Sequence, residues 1–184
     1  MIVNNCRIKY GSATQKNKFD DSRISIDFFV DDKKEEKALR EAIADVKDSI
    51  TGKAKVQHIG CKKYKGKEKG DKDEGRWLFK TWTYAKQFES DLDAVIPMVK
   101  ENGAEYALDK RPNLSWGSIV NISLTPKEWS TPNGSDKGVK LILRKVQVVN
   151  AIEYEGGDEF GAVEGHGFED EPKKKKKGKK KKKD

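Results

Sequence analysis

The feature that most constrains the fold is a two-residue alternation of apolar and polar side chains that recurs along the first 150 residues. Five stretches show it, more or less strictly: 1–10, 23–30, 76–84, 118–125 and 139–149. This period places one side of a strand against a core and the other side in solvent. We therefore predict about five strands, with Pro126 ending the fourth and a bulge near Arg144 and Lys145 in the last.

One segment shows the period of a helix instead. Its apolar positions recur at steps of four, three and four residues: Leu39, Ile43, Val46 and Ile50. Asp32 and Glu35 precede them at the spacing of a capping box, so we predict an amphipathic helix from Lys33 to Ile50. The residues that follow, 53–72, hold eight lysines and predict a basic, mobile loop.

The number of strands limits the architecture to a few choices. Five strands and one helix in about 150 residues suit a small five-stranded Greek-key barrel of the OB-fold type, which binds oligonucleotides across one face. A β-sandwich suits the same count, and the alternation alone does not separate the two. Either way the chain is predicted to be mainly β.

The net charge of +8 is distributed unevenly along the chain. Residues 153–171 contain eight acids and no Lys or Arg, whereas residues 173–184 contain ten lysines and one Asp. The rest of the chain then carries +7, which favours a polyanionic partner. We predict a folded domain over 1–152, a disordered acidic segment over 153–171 and a disordered lysine-rich tail over 172–184.

Several function classes have no support in the sequence. No stretch approaches the roughly 18 apolar residues of a membrane span, and Cys6 and Cys61 make no disulfide framework. His58 and Cys61 stand three residues apart, but a structural zinc site needs about four ligands. The sequence has neither a phosphate-binding loop nor a nucleophile motif. We therefore expect no enzyme activity, no metal and no cofactor.

The clearest functional pattern is a run of aromatic residues with interleaved cations along the predicted third strand. It comprises Trp77, Phe79, Trp82, Tyr84 and Phe88 together with Arg76, Lys80 and Lys86. Aromatic rings stack on bases at about 1–3 kcal/mol each, while nearby cations hold phosphates. One face of the strand must enter the core. We assign Trp77 and Phe79 to that face, and Lys80, Trp82 and Tyr84 to the face that meets nucleic acid.

The order of short motifs near the end of the domain resembles that of a known family. Trp116-Gly117-Ser118 opens a strand, and a loop with Trp129 follows. A glycine-led last strand then ends in Val146-Gln147-Val148-Val149, before Gly156-Gly157-Asp158-Glu159. This order is similar to that of the single-stranded DNA-binding proteins of podovirus-type tailed phages. The similarity covers about 1–160 in element order and is specific mainly over 116–160.

The resemblance implies an OB-fold with a helix after its second strand. It also implies a homodimer that binds single-stranded DNA in phage replication, recombination and repair, in the cytoplasm of the infected bacterium. The family's acidic tail recruits DNA polymerase and helicase-primase, which here would fall to residues 153–171. The chain departs from the family at its end, because Lys173 to Lys183 follow the acids and Asp184 stands where the family has an aromatic residue.

The sequence and the resemblance together nominate a DNA-binding surface with little sequence preference. The candidates for base stacking are Trp77, Trp82, Tyr84 and Trp116, of which some are expected to belong to the core instead. The candidates for contact with the DNA backbone are Lys80, Lys86, Arg111, Lys140 and Arg144, with Lys62, Lys63 and Lys65 on the basic loop. Two alternatives stay open, an RNA-binding or RNA-chaperone barrel and a non-catalytic adaptor that acts through its charged tails.

Overall fold

The computed structural model describes residues 1–13, 23–51, 56–84 and 96–152. In chain order the elements are β1 (Ile2–Ser12), β2 (Arg23–Val30), α1 (Lys33–Ser49), β3 (Val56–His58), β4 (Cys61–Lys63), β5 (Trp77–Tyr84), β6 (Met98–Val99), a 3₁₀ turn (Leu108–Lys110), β7 (Ile119–Ser130) and β8 (Lys137–Asn150). The predicted acidic segment and lysine-rich tail lie outside the described residues. No helix in the described ranges is long and apolar enough to cross a membrane.

Five strands close into a barrel in the order β1, β2, β5, β8, β7 and back to β1. Neighbours run antiparallel except β5 and β8, which run parallel where Thr81 pairs with Leu141 and Trp82 with Ile142. Closure removes the sheet edges that a sandwich would leave. The chain is thus an OB-fold, mainly β, with α1 between the second and third barrel strands, as the resemblance implied.

Inward-facing side chains of the five strands fill the barrel. The rings of Phe28 and Phe79 stack there with their centroids 5.6 Å apart, and both are fully buried. Thr81 is buried on the same side of β5 and donates its hydroxyl to the carbonyl of Ile26 at 2.8 Å. A buried hydroxyl with a partner carries little penalty, so β5 keeps a polar residue in the core.

Helix α1 packs its apolar stripe onto this core through Leu39 and Ile43. The carboxylate of Asp32 caps the helix by accepting two backbone N–H groups of the first turn, at 2.7 and 3.1 Å. The predicted capping box is only half formed. The carboxylate of Glu35 accepts instead from the side-chain amide of Asn4 at 2.7 Å, which ties the helix to β1.

Strand β7 does not end at Pro126, so that prediction was wrong. The strand continues to Ser130, with Pro126 opposite Leu141 of β8. On its other side, β7 pairs with β1 as far as Ser123 opposite Ile2, and Leu124 exchanges the last two hydrogen bonds with Met1 at 2.8 and 2.9 Å. Beyond that point β7 has β8 alone as a strand neighbour in the described residues, and a proline is tolerated on such an edge.

The predicted bulge in the last strand is present. The pairing of β7 with β8 shifts between Ser123 opposite Lys145 and Leu124 opposite Leu143, which leaves Arg144 as the extra residue. The shift keeps Leu143 and Val146 buried although they are three residues apart. Arg144 is turned outward.

The prediction of one uninterrupted loop over 53–72 was wrong. Strand β3 pairs with β8, and β4 pairs with β5, so short strands occupy part of this lysine-rich stretch. Residues 64–76, which begin in this stretch and extend beyond it, form what we call the covering turn. Its ends are joined by hydrogen bonds from the Tyr64 amide to the Arg76 carbonyl at 2.9 Å and from the Gly75 amide to the Tyr64 carbonyl at 2.8 Å.

The covering turn is anchored on the outside of the barrel by a small apolar cluster and a charged network. Tyr64 packs edge-on against Phe29 and beside Leu78, away from the main core. Asp73, only 1% exposed, accepts two hydrogen bonds from Arg7 at 2.6 and 3.1 Å and one from Arg76 at 3.3 Å. Lysines that were predicted on a mobile loop are therefore carried by a fixed turn.

Candidate nucleic-acid interface

Trp82 lies on the outer surface of the barrel, because β5 alternates between buried Thr81 and outward Lys80 and Trp82. Strand pairing places Ser25 of β2 on one side of Trp82 and Ile142 of β8 on the other. The outward residues of these strands and of β7 form a surface that we call the Trp82 face. It comprises Arg23, Ser25, Asp27, Lys80, Trp82, Thr125, Lys127, Lys140 and Ile142.

Two cations lie against the indole ring at the centre of this face. The guanidinium carbon of Arg23 is 4.6 Å from the Trp82 ring centroid, and the Nζ atom of Lys140 is 4.9 Å from it. Contacts of this kind orient both partners. Trp82 is half-buried between them, so the ring has a defined position and still presents surface for a ligand.

Positive charges on the Trp82 face are crowded. Lys127 stands directly opposite Lys140 in the pairing of β7 with β8. Burial lowers the pKa of the Lys140 ammonium, and the positive charges of Lys127 and Arg23 lower it further. An anion bound here would relieve that repulsion, so the arrangement suits a phosphate beside an aromatic ring.

Asp27 partly neutralises the positive charge at the edge of the Trp82 face. Asp27 pairs with Lys80 at 3.0 Å. Burial raises the pKa of the Asp27 carboxyl, even though Lys80 acts in the opposite direction. At the bulge, the Nε atom of Arg144 lies 3.4 Å from the Thr125 hydroxyl. Lys80 is thus tied to an acid, whereas Arg144 is exposed at the border of the face.

Trp77 lies away from the Trp82 face. It is half-buried and packs against the edge of the main core. Its ring contacts Arg40 of α1 at 4.7 Å and Lys63 of β4 at 4.6 Å, measured to the ring centroid. With Phe79 fully buried and Lys80 and Trp82 outward, the structure agrees with the predicted faces of these three residues of β5.

The three lysines nominated on the basic loop lie in β4 and the covering turn, and of these the charge of Lys62 acts on Asp27 of the Trp82 face. Lys62 and Lys63 belong to β4, where they pair opposite Leu78 and Trp77. The ammonium of Lys63 donates to the carbonyl of Gly75 at 2.8 Å. Lys65 is exposed near the start of the covering turn.

The remaining candidates occupy different environments. Arg111 is half-buried and donates from Nη1 to the carbonyl of Ile96 at 3.1 Å, so part of its guanidinium braces the chain. Trp116 is 57% exposed. Tyr84 ends β5, but its side chain is not among those described, and Lys86 lies outside the described residues.

Sequence reasoning missed two cations that the fold brings to the Trp82 face, Arg23 and Lys127. Each is a charged residue on the outward side of a strand, which is no signal by itself. A signal did exist for Arg23, because an OB-fold places its second and third strands side by side. The outward residues of predicted strand 23–30 could therefore have been matched with Trp82.

The side chains of the Trp82 face are suited to binding planar groups and phosphates. The described part of the chain has no group of three or more His, Cys, Asp and Glu side chains placed to hold a metal ion. What the Trp82 face offers is an aromatic ring, guanidinium and ammonium groups and a closed barrel that supports them. Such a surface stacks planar groups and neutralises phosphates.

The barrel has the OB-fold, an architecture that binds oligonucleotides in many proteins, and solved structures of phage proteins have the same architecture. The chain is similar to the single-stranded DNA-binding protein from bacteriophage Enc34, with a TM-score of 0.58 and 17% identity over 85% of this chain and 84% of that one. The same phage protein in complex with single-stranded DNA gives a TM-score of 0.56 and 18% identity, covering 83% and 86%.

A second phage protein has the same architecture. The gp2.5 single-stranded DNA-binding protein encoded by bacteriophage T7 matches with a TM-score of 0.53 and 17% identity over 86% of this chain and 91% of that one. No family model and no curated protein sequence matches the chain. The structural likeness shows a shared fold with phage single-stranded DNA-binding proteins, the family whose motif order the sequence resembles.

Proposed function

We propose that this protein binds single-stranded DNA without catalysis, with the strand lying across the Trp82 face. Trp82 stacks on a base, and Arg23, Lys127 and Lys140 contact the phosphates on either side of it. Because every base has an aromatic surface and phosphates carry no sequence information, binding shows little sequence preference.

The observation that carries this proposal is the crowding of positive charge around a held aromatic ring. Arg23 and Lys140 lie within 4.9 Å of the Trp82 ring centroid, and the positive charges of Lys127 and Arg23 contribute to the lowered pKa of Lys140. Charges that repel one another destabilise the free protein and are stabilised by a bound anion. The outer face of the second and third barrel strands is also where OB-folds bind oligonucleotides.

The finer roles follow from the resemblance and from the shared fold with two phage proteins. On that basis we propose a part in phage DNA replication, recombination and repair, as a homodimer. Recruitment of the phage DNA polymerase and helicase-primase would use residues 153–171. Lys80 and Arg144 would extend the phosphate contacts at the borders of the Trp82 face, and Tyr84 would stack beside it.

The test is a titration of intrinsic tryptophan fluorescence with oligo-dT, oligo-U and duplex DNA. We expect oligo-dT to quench the fluorescence and to bind more tightly than the duplex. Tighter binding of oligo-U would instead indicate an RNA-binding barrel, and quenching by none of the three would indicate an adaptor that acts through its tails.

A matched pair of variants separates the Trp82 face from general charge. The first replaces Arg23, Lys127 and Lys140 by Gln, and the second replaces three exposed lysines of α1, namely Lys33, Lys34 and Lys47, by Gln. Both lose three positive charges. Oligo-dT affinity should fall at least tenfold more in the first than in the second, and equal losses would refute the proposed site.

A further inference from the structure

Two exposed aromatic side chains lie on the barrel away from Trp82. Tyr10 of β1 is 37% exposed and Trp116 is 57% exposed. Large aromatic side chains contribute most to stability when they are buried, and exposed ones that share one groove mark a contact surface. With the covering turn they line a groove of about 570 Å³.

Trp116 is held in place by its backbone. The Gly117 amide donates to the carbonyl of Ile8 at 2.9 Å, and the Ser115 amide donates to the carbonyl of Ile152 at 2.8 Å. Gly117 has a φ of +89°, which other residues adopt only with strain. The turn therefore presents the indole ring at a fixed position without burying it.

A lysine beneath the ring fixes its orientation. A bulge in β1 between Ile8 and Tyr10 sets Lys9 apart from the regular pairing with β2. Its Nζ atom lies 5.1 Å from the Trp116 ring centroid and 3.7 and 3.9 Å from the carboxylates of Asp73 and Asp71. These acids thus offset the charge of Lys9, which acts as a support for the ring.

Further lysines stand on the rim of the groove. They belong to the covering turn and are Lys67, Lys69 and Lys72, all exposed. Lys67 lies 5.4 Å from the Tyr10 ring centroid. Glu68 is the exposed acid of this rim, while Asp71 and Asp73 already face Lys9, Arg7 and Arg76. The rim therefore presents three cations and one acid to a ligand.

The groove is continuous with the Trp82 face. Tyr10 pairs opposite Asp27 of β2, and Asp27 pairs opposite Lys80 of β5. The two ends of this row are two strands apart, about 10 Å at ordinary strand spacing. Trp82 is the next outward residue along β5 after Lys80. A bound strand can therefore pass from Trp82 across β2 to Tyr10.

We propose that this groove is a second base-stacking subsite for the same DNA strand. Trp116 and Tyr10 stack on bases, and Lys67, Lys69 and Lys72 contact the phosphates between and beyond them. The inference rests on the proposed function, because the strand must first occupy the Trp82 face. It predicts that affinity rises in a second step once an oligonucleotide is long enough to reach Trp116.

The test measures the affinity of the full chain for oligo-dT of increasing length. Trp116→Ala should leave the affinity for the shortest binding oligonucleotides unchanged and lower that for long ones roughly 5- to 150-fold, the value of one lost stacking contact. Leu108→Ala is the matched control, since Leu108 is 51% exposed and does not line the groove. Leu108→Ala should change neither the affinity for short oligonucleotides nor that for long ones.

A charge variant tests the rim independently of the tryptophan. Replacement of Lys67, Lys69 and Lys72 by Gln should reduce the salt dependence for long oligonucleotides by about 0.7 per lost phosphate contact. The triple α1 variant described above should change it by much less. Circular dichroism melts confirm that each variant is folded before it is scored.

The outcomes separate this inference from the proposed function. If Trp82→Leu weakens binding at every length but Trp116→Ala weakens it at none, the second subsite is refuted and the proposed function stands. An equal loss at all lengths for Trp116→Ala also refutes a separate subsite. If neither variant weakens binding, the proposed function itself fails.

Discussion

Two regions on the outside of this barrel combine arginine or lysine with aromatic rings, but they differ in the charges that surround these cations. Around Asp73, cations and a carboxylate meet at 2.6 to 3.7 Å, and hydrogen bonds from Arg7 hold the pKa of Asp73 below its usual range. Around Trp82, positive charges repel one another and lower the pKa of Lys140. Opposite charges in contact stabilise a fold, whereas like charges held together favour a bound anion.

The difference between these two regions arises from which residues the strand pairing and the covering turn place beside each cation. Arg7 of β1 sits beneath the covering turn, which brings Asp73 down onto it. Lys140 of β8 has Lys127 of β7 opposite it and Trp82 of β5 beside it. Both regions look basic and aromatic in the sequence. Only the strand neighbours decide which one is a structural network and which one is a candidate binding surface.

The largest expected effect is the loss of the Asp73 network. Asp73→Ala leaves the cations at the covering turn facing one another in a mostly buried site, and we expect it to lower the free energy of unfolding by about 3 kcal/mol. Urea denaturation measures the change. Asp45→Ala on the exposed side of α1 is the control and should cost less than about 0.5 kcal/mol. A loss below about 1 kcal/mol for Asp73→Ala would contradict the structural role.

Low pH should remove the stabilising contribution of the Asp73 network in the unmodified protein. The folded pKa of Asp73 is lowered, so its contribution is present above the unfolded value of about 3.9 and is lost as the pH falls through the lower folded value. Stability measured across this range should fall less steeply in Asp73→Asn than in the unmodified protein. Parallel curves would show that Asp73 is not a source of the acid sensitivity.

The next largest effect concerns the Trp82 face. Trp82→Leu should lower affinity for oligo-dT by about 1–3 kcal/mol, because an aliphatic side chain cannot stack on a base as an indole does. The free energy of unfolding should change by less than about 1 kcal/mol, since Trp82 lies outside the core. Trp82→Phe should recover part of the binding. Trp77→Ala should show the opposite pattern, with a loss of stability and little change in affinity.

A smaller effect compares Lys140, whose pKa is lowered by burial and neighbouring positive charge, with Lys80, which is paired with Asp27. Lys140→Gln should reduce the slope of log affinity against log salt by about 0.7, the value for one phosphate contact with a single strand. Lys80→Gln should reduce it by less than half as much, because Asp27 already neutralises Lys80 at 3.0 Å. Fluorescence titrations with oligo-dT at several salt concentrations give both slopes. A larger reduction of the slope for Lys80→Gln than for Lys140→Gln would indicate that Lys80, not Lys140, makes the phosphate contact.

The smallest effect concerns alkaline pH. Because the pKa of Lys140 is lowered in the free protein and DNA phosphate would raise it again, binding should take up protons. Affinity should therefore fall as the pH rises toward about 10, the ordinary range for lysine. Lys140→Arg keeps its charge and should fall less. Oligo-dA is the suitable probe because its bases lose no proton in this range, and identical curves for the two proteins would refute the proposed contact.

Much of the local structure could be predicted from the sequence. Alternation located the five barrel strands, the three-and-four spacing located α1 to within one residue, and Asp32 was recognised as its cap. The slip in period near Arg144 marked a real bulge. These features depend on residues close together in the chain, where backbone geometry alone relates side chains to faces.

The errors have a common origin in distant pairing. Pro126 was expected to end β7, but the strand continues because its neighbour on one side is β8 and β1 ends before that point. The lysine-rich stretch was expected to be a loop, but β4 forms on the edge of β5, and Asp73 anchors the covering turn through Arg7, 66 residues away in the chain. No local pattern reports such contacts.

The sequence by itself determined the five barrel strands, the helix, the charge of the folded region and the placing of Phe79 inside and Trp82 outside the barrel. Only the tertiary structure decided which outer residues are neighbours. Barrel closure pairs β5 with β8 in parallel, and that single contact brings Lys140 to the ring of Trp82 across 58 residues of chain. The physical reason is that side-chain alternation specifies the face of a strand, whereas the partner strand depends on the packing of the whole core.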